Sequence, residues 1–196
     1  ANGIGPITNK RNRILAQKVL EKVDVITLRD EESYDEIKSL DVKRSDIKIT
    51  ADPAFALVPA TQKRLRDVLD AEGINFDTKY IVISVRKWKH NCEEFEEAVA
   101  RVCAYIKQRL HFEPLFIPMQ RSVDSELCKK IIAMAGCGSI IKGKYTGDEL
   151  MAIISKAQVV VGMRLHTLIY AIASGVPVAG LSYDPKIDAL LDCAGI

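Results

Sequence analysis

Short apolar runs alternate with segments of helical periodicity along the whole chain. The apolar runs predict strands at 23–28, 47–50, 80–85, 115–118, 139–141, 158–161 and 177–181. The segments between them predict helices at 12–21, 61–72, 91–110, 122–136, 146–154, 167–174 and 186–193. Short apolar strands that alternate with helices are typical of a parallel sheet covered on both faces. The pattern therefore predicts an α/β protein.

The clearest helical pattern begins after residue 90. Asn91 and Glu94 have the spacing of a capping box, and Thr146 and Glu149 repeat it later in the chain. In the first of these helices, five apolar residues recur at helical spacing and are expected to face the core: Phe95, Val99, Val102, Ile106 and Leu110.

Two prolines, Pro53 and Pro59, bracket a predicted linker. We therefore place a domain boundary near residue 60, with one domain at 1–60 and a second at 61–196. The chain begins with Ala1 and a Gly-Ile-Gly-Pro loop, which normally follows a strand. We expect a fragment whose first domain lacks its N-terminal strands.

Composition narrows the possible functions. Hydrophobic residues make up 48% and charged residues 28% of the 196 residues, as in soluble globular proteins. The net charge of +2 gives no electrostatic argument for a nucleic-acid or membrane partner. The odd number of cysteines, five, and the absence of CxxC spacing favour a reduced, cytosolic protein.

No sequence motif indicates a resident metal ion or cofactor, since P-loop, HExxH, zinc-ligand and GxSxG patterns are absent. The most apolar stretch, 157–181, contains Arg164 and His166 and is interrupted by Gly175 and Pro177. It is therefore not expected to span a membrane.

Parallel sheets bind ligands at the carboxyl ends of their strands. One such end carries Gly162-Met163-Arg164-Leu165-His166, where a strand turns into a helix. Arg164 is placed to meet an anion with two parallel hydrogen bonds. The helix dipole disfavours a protonated His166, which would leave it able to exchange protons. A structural arginine and a helix-opening histidine are an equally good interpretation.

A second candidate follows the strand at 80–85, where Arg86 begins a basic loop that ends at His90. Arg86 is nearest the strand and is the preferred anion ligand. The alternative is a solvated basic loop, which is the usual role of a charge run. Trp88 beside lysines would suit nucleic acid, but a single Trp and a near-neutral chain argue against it.

Two weaker candidates lie near the start of the chain. Gly3 and Gly5 lack the third glycine of the dinucleotide fingerprint, so a tight turn is the simpler interpretation. Arg29 stands beside Asp30 at the end of a predicted strand. The spacing does not decide between a structural ion pair and a side chain that lines a cleft.

The last strand is followed by Tyr183 and Lys186, which flank Asp184-Pro185. Both side chains suit contact with a sugar or a phosphate. The structural alternative is a turn in which Asp184-Pro185 opens the final helix.

Several motifs occur together in a characteristic order: 3–6, 26–30 with Ser33, 52–55, 83–86, 162–166 and 173–177. In this order they resemble the polysaccharide pyruvyl transferase family over essentially the whole chain. The likeness is greatest to the cell-wall branch, which pyruvylates N-acetylmannosamine in secondary cell-wall polymers that anchor S-layer proteins.

The resemblance implies two Rossmann-like domains of the GT-B type. Residues 1–60 would be the C-terminal part of the first, on the acceptor side, and 61–196 the second, on the phosphoenolpyruvate side. Arginines at the positions of Arg86 and Arg164 hold phosphoenolpyruvate in the family, and a histidine at the position of His166 is implicated in catalysis. We therefore expect His166 and Arg164 to be the catalytic residues. Leu165 and the loops at Gly3, Gly5, Arg29, Tyr183 and Lys186 complete the expected substrate site.

Other expectations also come from this resemblance. Phosphoenolpyruvate is the donor substrate, so no cofactor is required. The acceptor is an amino-sugar glycan; a lipid-linked form would bring a cytoplasmic enzyme to the inner face of the plasma membrane. The acceptor sugar, its linkage and the oligomeric state stay open.

Two further functions stay open. The first is a nucleotide-sugar enzyme of the same fold, either a glycosyltransferase or a 2-epimerase. Such enzymes commonly bind ribose hydroxyls with a glutamate in the helix that here spans 167–174, but this helix contains no acid and has Tyr170 near that place. The second is a non-catalytic module that binds a polysaccharide.

Overall fold

The computed structural model describes residues 3–88 and 93–196, and the chain divides into two compact units, 1–56 and 57–196. The first unit contains α1 (Lys10–Leu20), β1 (Thr27–Leu28), α2 (Glu31–Ser39), β2 (Lys48–Ile49) and a 3₁₀ turn (Pro53–Ala56). β1 and β2 pair in parallel, and Ile26, Leu28 and Ile37 form the buried centre of the unit.

Side-chain caps fix where both helices of the first unit begin. The side chain of Asn9 accepts hydrogen bonds from the amides of Arg11 and Asn12, so α1 begins two residues before the predicted start. Asp30 caps α2 in the same way, by accepting from the amide of Ser33. The end of β1 is therefore joined directly to the first turn of α2.

The second unit is built on a parallel sheet with the strand order β5-β4-β3-β6-β7. Its elements are α3 (Gln62–Ala71), β3 (Tyr80–Ser84), α4 (Glu93–Arg109), β4 (Glu113–Phe116), α5 (Arg121–Ala135), β5 (Ser139–Ile140), α6 (Gly147–Ser155), β6 (Val160–Gly162), α7 (Leu165–Ala173), β7 (Val178–Gly180) and α8 (Pro185–Ala194). From β3 the chain proceeds to β4 and β5, and it then returns to β6 on the other side of β3. The strand order therefore reverses between β3 and β6, which is where sheets of this kind bind ligands.

Every residue of β3 is buried, because helices cover both faces of the sheet. Ile81, Ile83 and Val85 belong to a core shared with α4 and α5. Alternate residues point to the other face, where the hydroxyl of Tyr80 donates to the carbonyl of Ile153 in α6 at 2.6 Å. Helices packed on both faces of the sheet therefore hold β3 in place.

The predicted inward face of α4 was partly wrong. Val102 is 46% exposed and Leu110 is 41% exposed, whereas Ala100 and Cys103 are buried. Val99 and Ile106 are buried as predicted, and Cys103 takes the place of Val102 because it lies four residues after Val99 and three before Ile106, which is also helical spacing. Leu110 lies beyond the last residue of α4. The capping residue expected at Asn91 lies outside the described residues.

The predictions for two helix ends are confirmed. The capping box at Thr146 and Glu149 is present at the start of α6. Gly136 ends α5 in the left-handed conformation, with φ of +66°. Within the described residues, none of the helices combines the length and apolar character that a membrane crossing requires. The same residues contain no cluster of histidine, cysteine and acidic side chains suited to a metal ion.

Candidate functional site

Two arginines lie at the point where the strand order reverses. Ser84 of β3 pairs with Gly162 of β6, so Arg86 and Arg164 each follow a paired residue by two positions. Beyond the strands, the amide of Met163 donates to the carbonyl of Ser84 at 2.7 Å. The two loops therefore leave the same edge of the sheet side by side.

Arg164 is the N-cap residue of α7, and its guanidinium group binds an acid of the protein itself. Nε donates to Oδ2 of Asp124 at 3.0 Å, and Nη2 donates to Oδ1 of the same carboxylate. Nη2 also donates to Oε1 of Gln120 at 3.2 Å. The pair of parallel hydrogen bonds expected of Arg164 is thus formed with Asp124.

Asp124 was not among the residues that the sequence singled out. It lies in the first turn of α5, is 0% exposed and accepts a further hydrogen bond from the amide of Gln120 at 2.8 Å. Asp124 could have been recognised from its position, because it lies at helical spacing on the same buried stripe of α5 as Leu127, Cys128 and Ile131. An acid on a buried helical stripe requires a partner, and here the partner is Arg164.

Arg86 is held by aromatic residues. Its Nη1 donates to the hydroxyl of Tyr183 at 2.8 Å. The guanidinium carbon lies 5.0 Å from the centre of the Tyr183 ring and 5.5 Å from that of Trp88, and these two rings are 5.0 Å apart. Arg86 and Tyr183, both predicted site residues, are therefore in direct contact. Lys89 and His90 of the same loop lie outside the described residues.

His166 lies in the first turn of α7 and is exposed, with its ring centre 6.2 Å from that of Tyr170. Leu165 precedes it as the first residue of the helix and is half-buried. An exposed imidazole two residues from Arg164 is accessible to a ligand at this edge of the sheet.

The loop after β7 forms the turn that the sequence left as an alternative. Asp184 caps α8 by accepting from the amide of Lys186 at 3.1 Å, and Pro185 is the first residue of the helix. Lys186 therefore lies in the first turn of α8, half-buried. Its positively charged side chain is three residues from Tyr183 in the sequence, and its backbone amide takes part in the cap of α8.

In the first unit, Arg29 forms ion pairs with two acids. Nε donates to Asp30 at 3.2 Å and Nη1 donates to Asp52 at 3.0 Å. The two glycines lie against this cluster and α2: a Cβ at Gly3 would lie 2.7 Å from Nε of Arg29, and one at Gly5 would lie 2.6 Å from Cγ of Glu36. The motif residues of this unit are thus packed on one another.

Asp30 joins this cluster to α2. Its carboxylate accepts from the amide and the hydroxyl of Ser33, and that hydroxyl in turn accepts from the amide of Ile4 at 2.8 Å. Partial burial acts to raise the pKa of Asp30, but the hydrogen bonds from Ser33 and Arg29 outweigh it and hold the pKa below its ordinary value. Asp30 is therefore a charged structural centre.

The sequence profile of a family described as Polysaccharide pyruvyl transferase matches residues 1–185. No curated protein sequence matches the chain. Among solved structures, the glycosyl transferase family 9 protein from Veillonella parvula is similar, with 13% identity and a TM-score of 0.53 over 92% of this chain and 65% of that one. The UDP-GlcNAc 2-epimerase from Neisseria meningitidis has 15% identity and a TM-score of 0.59 over 81% of this chain and 45% of its own.

These structural similarities establish the fold, which is an α/β fold of the GT-B type with parallel sheets. The chain spans less than two thirds of either structure, 65% of the first and 45% of the second.

Proposed function

Because this chain belongs to the polysaccharide pyruvyl transferase family, we propose that it transfers the pyruvyl group of phosphoenolpyruvate to two hydroxyls of a sugar, forming a ketal and releasing phosphate. The proposed acceptor is an N-acetylmannosamine residue of a cell-wall polysaccharide or of its lipid-linked precursor. The enzyme would act in the cytoplasm, at the inner face of the membrane if the acceptor is lipid-linked. The observation that supports this proposal best is the pair of arginines and the histidine that follow β3 and β6.

Phosphoenolpyruvate carries a carboxylate and a phosphate, so its site needs at least two fixed cations. Arg86 and Arg164 meet this need, since each is already held in place by neighbouring side chains. A hydrogen bond to a charged group contributes about 1.5–3 kcal/mol. Their location where the strand order reverses is the usual ligand-binding position of such a sheet.

The proposed chemistry moves three protons, because one is added to carbon and one is lost from each of two hydroxyls. A proton added to the methylene carbon of phosphoenolpyruvate makes a methyl group and an electrophilic neighbouring carbon. One sugar hydroxyl attacks that carbon, phosphate leaves with its bridging oxygen, and the second hydroxyl closes the ketal. Of the two hydroxyl protons, one replaces the proton given to the methyl group and the other leaves with phosphate. We assign His166 to these transfers because it is exposed in the first turn of α7, two residues after Arg164.

The first unit is assigned to the acceptor side. Arg29 is already engaged with Asp30 and Asp52, so its role in this proposal is to hold the loop at Gly3 and Gly5 in place. The backbone of that loop, rather than the Arg29 charge, would then contact the sugar.

A nucleotide-sugar enzyme is the second candidate, because the similar structures are a glycosyltransferase and an epimerase. The observation against it is that α7 contains no acid to accept the ribose hydroxyls of a nucleotide. Tyr170, near the corresponding place, is buried.

Calorimetric titration with phosphoenolpyruvate and, separately, with UDP-N-acetylglucosamine distinguishes the two candidates. We expect phosphoenolpyruvate to bind and Arg86→Ala and Arg164→Ala each to weaken it at least about tenfold. Binding of the nucleotide sugar without phosphoenolpyruvate would overturn the proposal. Release of phosphate on addition of an N-acetylmannosamine acceptor separates an enzyme from a polysaccharide-binding module.

A further inference from the structure

The hydrogen bonds of Arg164 leave one part of its guanidinium group for a ligand. This group has five N–H donors: one on Nε and two on each Nη. Nε and Nη2 donate to Asp124, and Nη2 also donates to Gln120. Within the described residues, no hydrogen bond uses Nη1. A ligand that binds Arg164 in this arrangement therefore meets Nη1.

The ion pair between Asp124 and Arg164 is buried, unlike an ion pair at the protein surface. The Asp124 side chain is 0% exposed, whereas the Arg164 side chain is 14% exposed. A buried ion pair is weak evidence for stability, because the loss of hydration offsets much of the attraction between the charges. The pair does define the direction of a planar guanidinium group, since two parallel hydrogen bonds fix both its position and its rotation.

We propose that Asp124 is a positioning residue, which holds Arg164 so that Nη1 binds one oxygen of phosphoenolpyruvate. This inference rests on the proposed function, and it changes the expected contact with the donor from two parallel hydrogen bonds to Nη1 alone. Gln120 assists by accepting from Nη2. Asp124 also offsets part of the positive charge of Arg164, so the direction of the Nη1 hydrogen bond matters for binding in addition to the remaining charge.

Replacing Asp124 with asparagine separates positioning from charge. Asp124→Asn keeps the size of the side chain but removes one negative charge and one of the two equivalent acceptors. If Asp124 only offset the charge of Arg164, the more positive site would bind phosphoenolpyruvate more tightly. If Asp124 positions Arg164, binding weakens despite the added positive charge, and we expect about a tenfold loss.

A double-mutant cycle tests whether Asp124 acts through Arg164. Affinity for phosphoenolpyruvate is measured for the wild type, Asp124→Asn, Arg164→Ala and the double variant. We expect the tenfold effect of Asp124→Asn to disappear in the Arg164→Ala background. Tighter or unchanged binding by Asp124→Asn, or an equal loss in both backgrounds, would overturn the proposal, because a merely structural role does not depend on Arg164.

Gln120→Ala provides a second test that does not depend on the folding of Asp124→Asn. Gln120 is exposed, so its replacement leaves the core intact. It removes an acceptor from Nη2, and we expect phosphoenolpyruvate binding to weaken about threefold with an unchanged thermal unfolding midpoint. Unchanged binding by this variant would contradict the assisting role of Gln120.

A measurement that needs no ligand separates this inference from the proposed function. In a ¹⁵N-labelled sample, the Nε–H signal of Arg164, assigned by its loss in Arg164→Ala, should exchange slowly with water and become fast in Asp124→Asn. If that signal is protected but phosphoenolpyruvate does not bind, the orientation stands and the proposed function fails. If phosphoenolpyruvate binds and the signal is unprotected, the positioning role of Asp124 fails.

Discussion

The hydroxyl of Thr167 in α7 donates a hydrogen bond of 3.0 Å to the hydroxyl of Ser84 at the end of β3. Both side chains are 0% exposed, and the Ser84 hydroxyl donates in turn to the carbonyl of Ile117 at 3.1 Å. This chain of hydrogen bonds joins the strand that precedes Arg86 to the helix that begins after Arg164. The two arginine loops are therefore anchored to each other through the core.

We expect Ser84→Ala to lower the free energy of unfolding by about 1–3 kcal/mol, because it leaves the Ile117 carbonyl and the Thr167 hydroxyl buried without this partner. Thr167→Val should cost less, since Ser84 keeps its bond to Ile117. Urea unfolding measures both. Ser122→Ala, at an exposed serine of α5, is the control and should stay within about 0.5 kcal/mol of the wild type. Equal losses of unfolding free energy in all three variants would contradict a stabilising role for this buried chain of hydrogen bonds.

Tyr183→Phe removes the hydroxyl that accepts from Arg86 and keeps the ring that packs on it. Under the proposed function, we expect phosphoenolpyruvate to bind about tenfold more weakly, because one fixed point of the Arg86 guanidinium group is lost. Calorimetric titration measures this change. Tyr105→Phe, at an exposed tyrosine of α4, is the matched control. Unchanged affinity in Tyr183→Phe would show that the hydroxyl does not orient Arg86 for the donor.

Much of the second unit could be predicted from the sequence, because its signals are local. The apolar run at Tyr80–Ser84, the capping box at Thr146 and the glycine that ends α5 each depend on neighbouring residues. In the first unit, by contrast, the strand expected at 23–28 is only Thr27–Leu28, which is the part that pairs with β2. Strand length depends on a distant partner, which the local pattern does not contain.

The partners of the site residues could not be predicted for the same reason. Asp124 is 40 positions from Arg164, and Tyr183 is 97 positions from Arg86. The order of strands brings each pair together, and that order is not a property of either segment alone. The sequence did indicate which loops to compare, because the carboxyl ends of parallel strands meet at one edge.

Glu72, at the end of α3, makes folding depend on pH. Its carboxylate accepts from the amides of Lys142 at 2.7 Å and Gly143 at 2.6 Å and from the hydroxyl of Tyr145 at 2.8 Å. Partial burial acts to raise the pKa of Glu72, but these hydrogen bonds outweigh it and hold the pKa below its ordinary value. A carboxyl group whose pKa is lower in the folded than in the unfolded protein stabilises the fold at pH values above its unfolded-state pKa. This stabilisation is lost as the pH falls through the folded-state pKa.

We therefore expect Glu72→Gln to be less stable than the wild type at neutral pH and to approach it in acid, as the pH falls through the lowered pKa of Glu72. Urea unfolding between about pH 7 and pH 3 measures the difference. The control is Glu126→Gln, at an exposed glutamate of α5, which should differ little from the wild type at neutral pH. If the loss of stability in Glu72→Gln did not change with pH, the contribution of Glu72 would come from the shape of its side chain and not from its charge.

Gly5 is required by its backbone conformation and by its close contact with α2. Its φ is +101°, and a Cβ would lie 2.6 Å from Cγ of Glu36, whose carboxylate is bound by Arg13. We expect Gly5→Ala to destabilise the first unit by at least about 1 kcal/mol, seen as faster hydrogen exchange of the α2 amides. Gly175→Ala also has positive φ but meets open space, and it should leave α2 exchange unchanged. Unchanged α2 exchange in Gly5→Ala would contradict the tight contact.

His166 provides a direct test of the proposed proton transfers, because its exposed side chain can be replaced without disturbing the core. We expect His166→Asn to reduce phosphate release with an acceptor on the order of 10²–10⁴-fold while phosphoenolpyruvate still binds through Arg86 and Arg164. His111→Asn is the matched control: His111 is also exposed, and asparagine tolerates its positive φ of 57°. This control should keep wild-type turnover. If His166→Asn turned over normally, another group would have to move the protons, since the proposal gives no other role to the imidazole; if it lost binding instead, His166 would be a ligand of the donor.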